Sequence, residues 1–166
     1  RYAYAWTGKG ALWGTTIYTK RVSLEQLNQL NDKLVPTLLQ EEIDKSFELR
    51  ILYFYGEFFV TAILSQSDKV TEVDSRYSEN GSYAKLVPYT IDDELKLKLK
   101  ALCDSLTLNI GSIDVIIKPN GEPVFLEINP VGQITGYSRM TGRSVEKMIA
   151  EKLIAIDRDA ENNRRN

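Results

Sequence analysis

Ser112-Ile113-Asp114-Val115-Ile116-Ile117-Lys118-Pro119-Asn120-Gly121-Glu122-Pro123-Val124-Phe125-Leu126-Glu127-Ile128-Asn129 reads as a β-hairpin. Two β-prone runs flank Asn120-Gly121, and Asn-Gly is a strong signal for a two-residue hairpin turn. With the turn placed there, Pro119 faces Glu122 and Asp114 falls directly across from Glu127. Side chains alternate along a strand, so Asn129 shares the face of Glu127. Directly opposed side chains sit about 4.5–5.5 Å apart at Cβ. Two carboxylates that close repel unless a positive charge lies between them. A divalent cation with oxygen ligands meets that need, and magnesium suits one or two carboxylates completed by waters and phosphates. Asp114, Glu127 and Asn129 are therefore the candidate metal ligands. In this register Val115, Ile117, Val124, Leu126 and Ile128 line the opposite, core-facing side, and Ile116 and Phe125 stand beside the acids.

The rest of the chain limits what chemistry is available. Its 166 residues suit one compact domain or two closely packed lobes, and 43% hydrophobic with 27% charged residues is ordinary for a globular protein. There is no histidine, which removes Ser-His-Asp and Cys-His systems, histidine bases and most zinc sites. Carboxylates, Lys, Arg, hydroxyls and a hard cation remain. A net charge of −2 lacks the basic surplus of a nucleic-acid binder, so no nucleic acid partner is expected. Neither a bilayer-length apolar run nor a signal-peptide pattern is present, so no membrane partner is expected. The single cysteine, Cys103, excludes an internal disulfide and points to the cytoplasm. It reads as a small buried residue on its helix. The chain opens at Arg1 inside the alternating stretch Arg1-Tyr2-Ala3-Tyr4-Ala5-Trp6 and is expected to be a piece of a longer protein.

Outward from the hairpin, the elements follow from periodicity and punctuation. Two strands are expected around Thr7-Gly8-Lys9-Gly10. Ser23-Leu24-Glu25-Gln26 has capping-box spacing before Leu27, Leu30 and Leu34, with Pro36 as the stop. Strand-like runs cover 37–43, 47–55 and 57–65, with Gly56 as a tight turn. Residues 66–89 are polar and read as a long loop or a short hairpin with loops. From Ile91 to Leu106 the pattern is ambiguous: Leu95, Leu97 and Leu99 alternate with lysines like a strand, yet Ile91, Leu95, Leu99, Leu102 and Leu106 share a helical face, and length favours a helix. A final amphipathic helix carries Val145, Met148, Ile149, Leu153 and Ile156, with a frayed tail from about 157 to 166. Strand pairs without crossover helices predict an α+β fold centred on an antiparallel sheet.

Other candidate residues lie on these elements. Gln40-Glu41-Glu42-Ile43 precedes Glu48-Leu49-Arg50. Acids at a strand end can accept hydrogen bonds from a sugar, and the backbone there can pair with a base edge. Arg50 suits a phosphate or carboxylate, or a surface ladder with Glu48. In Asp74-Ser75-Arg76, Arg76 can clamp phosphate or an acyl-phosphate, and Asp74 can orient it or take a proton; a loop salt bridge is the plainer reading. Lys9, between two glycines, can lie over phosphates without forming a Walker motif.

Together these residues resemble the ATP-grasp enzymes. D-alanine–D-alanine ligases and their relatives place Asp, Glu and Asn on adjacent strands to hold magnesium, and Asp114, Glu127 and Asn129 keep that order. A hinge glutamate seven residues before a ribose-binding glutamate is matched by Glu41 and Glu48. Phe125-Leu126-Glu127-Ile128-Asn129-Pro130-Val131-Gly132-Gln133, with Glu48-Leu49-Arg50, Asp74-Ser75-Arg76 and Gly111-Ser112-Ile113-Asp114, is similar to graspetide ligases, the microviridin-type peptide maturases. The pattern is nearest the grasp-with-spasm branch, although Ser75 stands where related members carry a bulky aromatic residue.

The resemblance implies ATP and Mg2+ as cofactors, with Lys9, Gln40, Glu41, Glu42, Ile43 and Glu48 at the nucleotide. Arg50, Asp74 and Arg76 fall at the reacting groups. It implies activation of peptide side-chain carboxylates as acyl-phosphates, then ester or amide cross-linking within a ribosomal precursor peptide. The expected layout is the C-terminal part of an ATP-grasp fold: 1–40 in the small lobe, 41–157 in the C-terminal lobe with the metal site, and 158–166 as tail. A homo-oligomer stays open. Two alternatives stand beside this reading: another carboxylate–amine ligase on the same fold, and a non-catalytic nucleotide- or peptide-binding module.

Overall fold

The computed structural model describes residues 2–6, 12–16, 19, 21–29, 38–67, 72–73, 84–130, 134, 138, 142 and 144–165. They fall into two units: Arg1–Asp44 with Ser65–Ala84, and Lys45–Leu64 with Lys85–Asn166. In the first unit, β1 (Tyr2–Trp6) pairs antiparallel with β2 (Leu12–Thr16), the two strands expected on either side of Thr7-Gly8-Lys9-Gly10. Helix α1 (Leu24–Asn28) starts at the anticipated capping box. The Gln26 N–H donates to Ser23 Oγ at 3.1 Å, and the Ser23 N–H donates to Gln26 Oε1 at 2.9 Å. The strand expected over 37–43 does not form in its described part, where residues 38–45 are irregular and mostly exposed.

The second unit is built on a five-stranded antiparallel sheet in the order β5-β4-β3-β6-β7. Its strands are β3 (Phe47–Phe54), β4 (Glu57–Leu64), β5 (Lys85–Tyr89), β6 (Ile110–Ile117) and β7 (Pro123–Asn129). Strand β5 ends the segment that the sequence left as loop or hairpin. Tyr55 and Gly56 both take positive φ, 45° and 85°, so the β3–β4 hairpin closes on the primed turn whose twist matches its strands.

One sheet face is largely apolar, with Lys85 on it at the β5 edge. Leu49, Ile51, Tyr53, Val60, Ala62, Ile113, Val115 and Ile117 form its core with Ile91, Leu99 and Cys103. The last two sit on α2 (Asp93–Ser105), so the helical reading of this ambiguous segment holds. Asp92 caps it by accepting from the Leu95 N–H at 2.7 Å. Burial pushes the Cys103 thiol above its ordinary pKa, which keeps it a protonated packing group.

The C-terminus of α2 is a Schellman motif. Leu108 N–H donates to Cys103 C=O at 2.9 Å and Thr107 N–H to Asp104 C=O at 3.0 Å, with Leu108 packed on the core. Thr107 holds φ 55°, a conformation costly for a β-branched residue. Thr107→Gly is therefore expected to stabilise the protein by about 0.5–1 kcal/mol, read as a higher urea midpoint at unchanged slope. A lower midpoint would show that the Thr107 side chain contributes more than its strain costs.

Helix α3 (Val145–Arg165) buries Val145 and half-buries Ile149, Lys152 and Ile156 on one stripe. It runs through Arg165, beyond the frayed start expected at 157, because Asp157–Arg165 contains no glycine or proline and carries Ala160, Glu161 and Arg164 as good helix formers. Lys152 Nζ lies 3.5 Å from a Glu57 carboxylate oxygen.

Candidate functional site

The β6–β7 hairpin places the acids by a different route from the one read in the sequence. Its turn has three residues, not two. Gly121 N–H donates to Lys118 C=O at 2.9 Å, and Lys118 N–H to Glu122 C=O at 3.0 Å. Pro119 supplies the fixed φ that a type I turn wants at its second position, and Gly121 follows at φ 86°. That turn alone shifts the pairing by one residue, so Val115 opposes Phe125 and Ile116 opposes Val124. The register then changes between Asp114 and Val115, leaving Leu126 as the extra residue of a bulge. Beyond it Asp114 opposes Glu127 and Ser112 opposes Asn129. Two departures cancel where the acids lie. They do not cancel nearer the turn, where Val124 joins the acid-bearing face beside Ile116 and Phe125 pairs with core-facing Val115.

The same rung extends inward to β3. Arg50 is the β3 partner of Asp114, so Arg50, Asp114 and Glu127 stand side by side across three strands. Arg50 Nε donates to Asp114 Oδ1 at 2.9 Å and Nη2 to Oδ2 at 3.4 Å. Both side chains are about two-thirds buried, with 33% and 27% of their surface exposed. Two residues along β3, Glu48 lies on the same face and accepts from Lys45 Nζ at 2.6 Å. The Glu48–Arg50 ladder considered from sequence is thus replaced by Glu48–Lys45 and Arg50–Asp114. Lys45 and the Arg50–Asp114 pairing were missed, and the spacing of Lys45 three residues before Glu48 is the one local signal for either.

Glu127 is exposed on edge strand β7 and has no ion-pair partner among the described residues. Among the described residues the other charges of this face pair as Lys45 with Glu48, Arg50 with Asp114 and Lys152 with Glu57, which leaves Glu127 without a counterion. Two carboxylates and an amide, all oxygen donors, fit magnesium, which completes its shell with waters and phosphate oxygens. Among the described residues no group of three or more His, Cys, Asp and Glu side chains gathers anywhere, and this rung itself offers two carboxylates and an amide. A cleft of about 370 Å3 opens on the core face, lined by Phe47, Tyr89, Leu95, Ile117 and Pro119. None of the candidate residues lines it.

The other candidates are placed as follows. Gln40, Glu41 and Glu42 are exposed and Ile43 is half-buried in the irregular segment of the first unit. Glu42 accepts from Arg21 Nε at 2.6 Å, and Arg21 Nη2 also donates to Glu72 at 2.7 Å. Lys9, Asp74 and Arg76 lie outside the described residues.

The antiparallel sheet, with its site-bearing last hairpin, defines the class: this is part of an ATP-grasp fold. More narrowly, the chain resembles the ATP-grasp ligases associated with ribosomally made peptides. It is similar to the RiPP-associated ATP-grasp ligase of Chryseobacterium gregarium, solved in complex with ADP and a leader and core peptide. The two share 25% identity at a TM-score of 0.77, over 93% of this chain and 46% of that one. It is also similar to the macrocyclase MdnC of Microcystis aeruginosa, solved with its precursor peptide MdnA: 28% identity, TM-score 0.70, 93% of this chain and 46% of that one. Against the macrocyclase MdnB of the same organism the values are 27%, 0.53, 82% and 47%. The chain therefore spans just under half the length of these ligases. No protein-family profile and no curated protein sequence matches it.

No helix among the described residues is long and apolar enough to cross a membrane.

Proposed function

We propose that the complete protein is an ATP- and Mg2+-dependent ligase that cross-links a ribosomal precursor peptide through its side-chain carboxylates. The observation that carries this reading is the rung Arg50–Asp114–Glu127 with Asn129 beside it, on a sheet similar to those of peptide-modifying ligases. In it Asp114, Glu127 and Asn129 hold the cation, and Glu48 receives the ribose. Gln40, Glu41, Glu42 and Ile43 serve the base, and Lys9 serves the phosphates. Arg50, Arg76 and Asp74 position and neutralise the groups around the transferred phosphoryl. Bound magnesium would supply charge neutralisation between phosphate oxygens.

A peptide carboxylate then takes the γ-phosphoryl, and a Ser, Thr or Lys side chain displaces phosphate to leave an ester or amide. Phosphoryl transfer needs mainly positioning and charge, which this histidine-free set of residues can provide. The test is ADP release by the complete protein with and without a precursor peptide encoded beside its gene. Peptide mass is followed for loss of one water per link. Peptide-stimulated ADP release with that loss is expected. Peptide-independent ligation of free amino acids would instead assign another carboxylate–amine ligase, and neither activity would leave a binding module.

The polar segment from Gln66 to Lys85 is proposed to help hold the peptide. Most of it lies outside the described residues, and in the remainder Gln66 Nε2 donates to Glu72 C=O at 3.0 Å. Its length and polarity in the sequence support this, since long connections in compact domains are usually functional. Replacing residues 66–72 by alanine is expected to weaken leader-peptide binding by about tenfold, roughly 1.4 kcal/mol, and to leave ATP affinity unchanged. Unaltered peptide affinity in a titration would place recognition elsewhere.

A further inference from the structure

We propose that Arg50 is an exchangeable counterion for Asp114, and that this exchange makes cation binding depend on nucleotide. The inference rests on the metal-site reading above and adds the order in which charges change partners. Arg50 engages both oxygens of Asp114, at 2.9 and 3.4 Å. A carboxylate occupied by a guanidinium on both oxygens is a poor ligand for a second cation, because the two positive charges then share one small site. A cation arriving alone must push Arg50 away from Asp114.

Among the described residues the displaced guanidinium then has no second acid open to it. It is only 33% exposed, and its nearest acid along β3, Glu48, is already held by Lys45 at 2.6 Å. Its β4 neighbour on the same rung, Thr61, is buried and uncharged. A half-buried charge without a partner is costly. A nucleotide removes that cost, since its phosphates give Arg50 a new anion as the cation takes Asp114. Arg is suited to the swap, because its planar fork matches carboxylate and phosphate alike. Cation and nucleotide thus favour each other's binding, and by linkage the factor is the same in both directions.

The experiment measures Mn2+ affinity of the complete protein without and with saturating ADP, reading free Mn2+ from its electron paramagnetic resonance signal. In the parent, ADP is expected to tighten Mn2+ binding by about tenfold or more, within the usual span of coupling between sites. In Arg50→Gln, nucleotide-free Mn2+ binding should tighten several-fold, and the ADP-linked gain should shrink to about threefold or less. Arg50→Lys keeps the charge without the fork and should fall between, which keeps the test available where Arg50→Gln folds poorly. Unchanged nucleotide-free affinity in both Arg50 variants, with binding lost in Asp114→Asn, overturns the counterion role and leaves the metal site standing. Parent-like Mn2+ binding in Asp114→Asn overturns the metal site itself, and the exchange with it.

Discussion

Glu127→Gln in the complete protein will lower ATP turnover by roughly 10^2–10^3-fold, the usual loss when one preorganised electrostatic contact to a transition state is removed, while changing stability little. The two halves of that expectation come from the same observations. Glu127 is exposed, lies on the edge strand and has no ion-pair partner among the described residues. Exchanging its charge for an amide of the same shape breaks no packing, and surface changes of this kind stay within about 0.5 kcal/mol. What the change removes is the one uncompensated negative charge on the rung. The loss should therefore depend on magnesium: raising its concentration recovers part of the turnover. ADP release across a magnesium series, beside a urea denaturation curve, checks both. Turnover within about threefold of the parent at every magnesium concentration would remove Glu127 from the ligand set.

The sequence showed the acids to be opposed, but the physical path to that register was hidden. Asn120-Gly121 carries a genuine turn signal, yet Pro119 in front of it draws the chain into a three-residue turn. A bulge depends on how two strands twist against each other and against the sheet, so nothing local to Leu126 announces it. Local signals did well where the chain is its own partner: the Ser23–Gln26 capping box, the Tyr55-Gly56 turn and the amphipathic α2. They failed where a partner lies far away. Arg50 and Asp114 are separated by 64 positions, and only the β3–β6 pairing brings them together. The irregular segment at 38–45 shows the converse. Leu38, Leu39 and Ile43 look like strand, but no neighbouring strand pairs with them, and β propensity reports fit to a sheet more than a backbone preference.

The second large effect falls on stability. Ile113→Ala is expected to cost about 2–5 kcal/mol and Ile113→Val about 0.5–1.5 kcal/mol, the usual range for truncating a packed core side chain. Ile113 is fully buried, one residue before Asp114, and is flanked in register by Ile51 on β3 and Ile128 on β7. The cavity left by alanine lies between the Ile51 and Ile128 side chains, whose strands are held in place by pairing with β6, so little collapse can refill it. A neighbouring constraint sharpens the point: a Cβ added at Gly111 would meet the Ile128 side chain at 3.1 Å, so this part of the face has no slack. The site should survive in the molecules that stay folded. Slipping β6 by one residue would turn Asp114 into the core and bring hydrophobic side chains out to solvent, which is more costly than a cavity. The expected result is a large fall in the urea midpoint for Ile113→Ala and a small one for Ile113→Val, with Mn2+ affinity in the presence of ADP unchanged in both. Glu127→Gln should show the opposite pattern, function lost and stability kept. If Ile113→Ala instead weakens Mn2+ binding under conditions where it is fully folded, core packing and not strand pairing sets the position of Asp114.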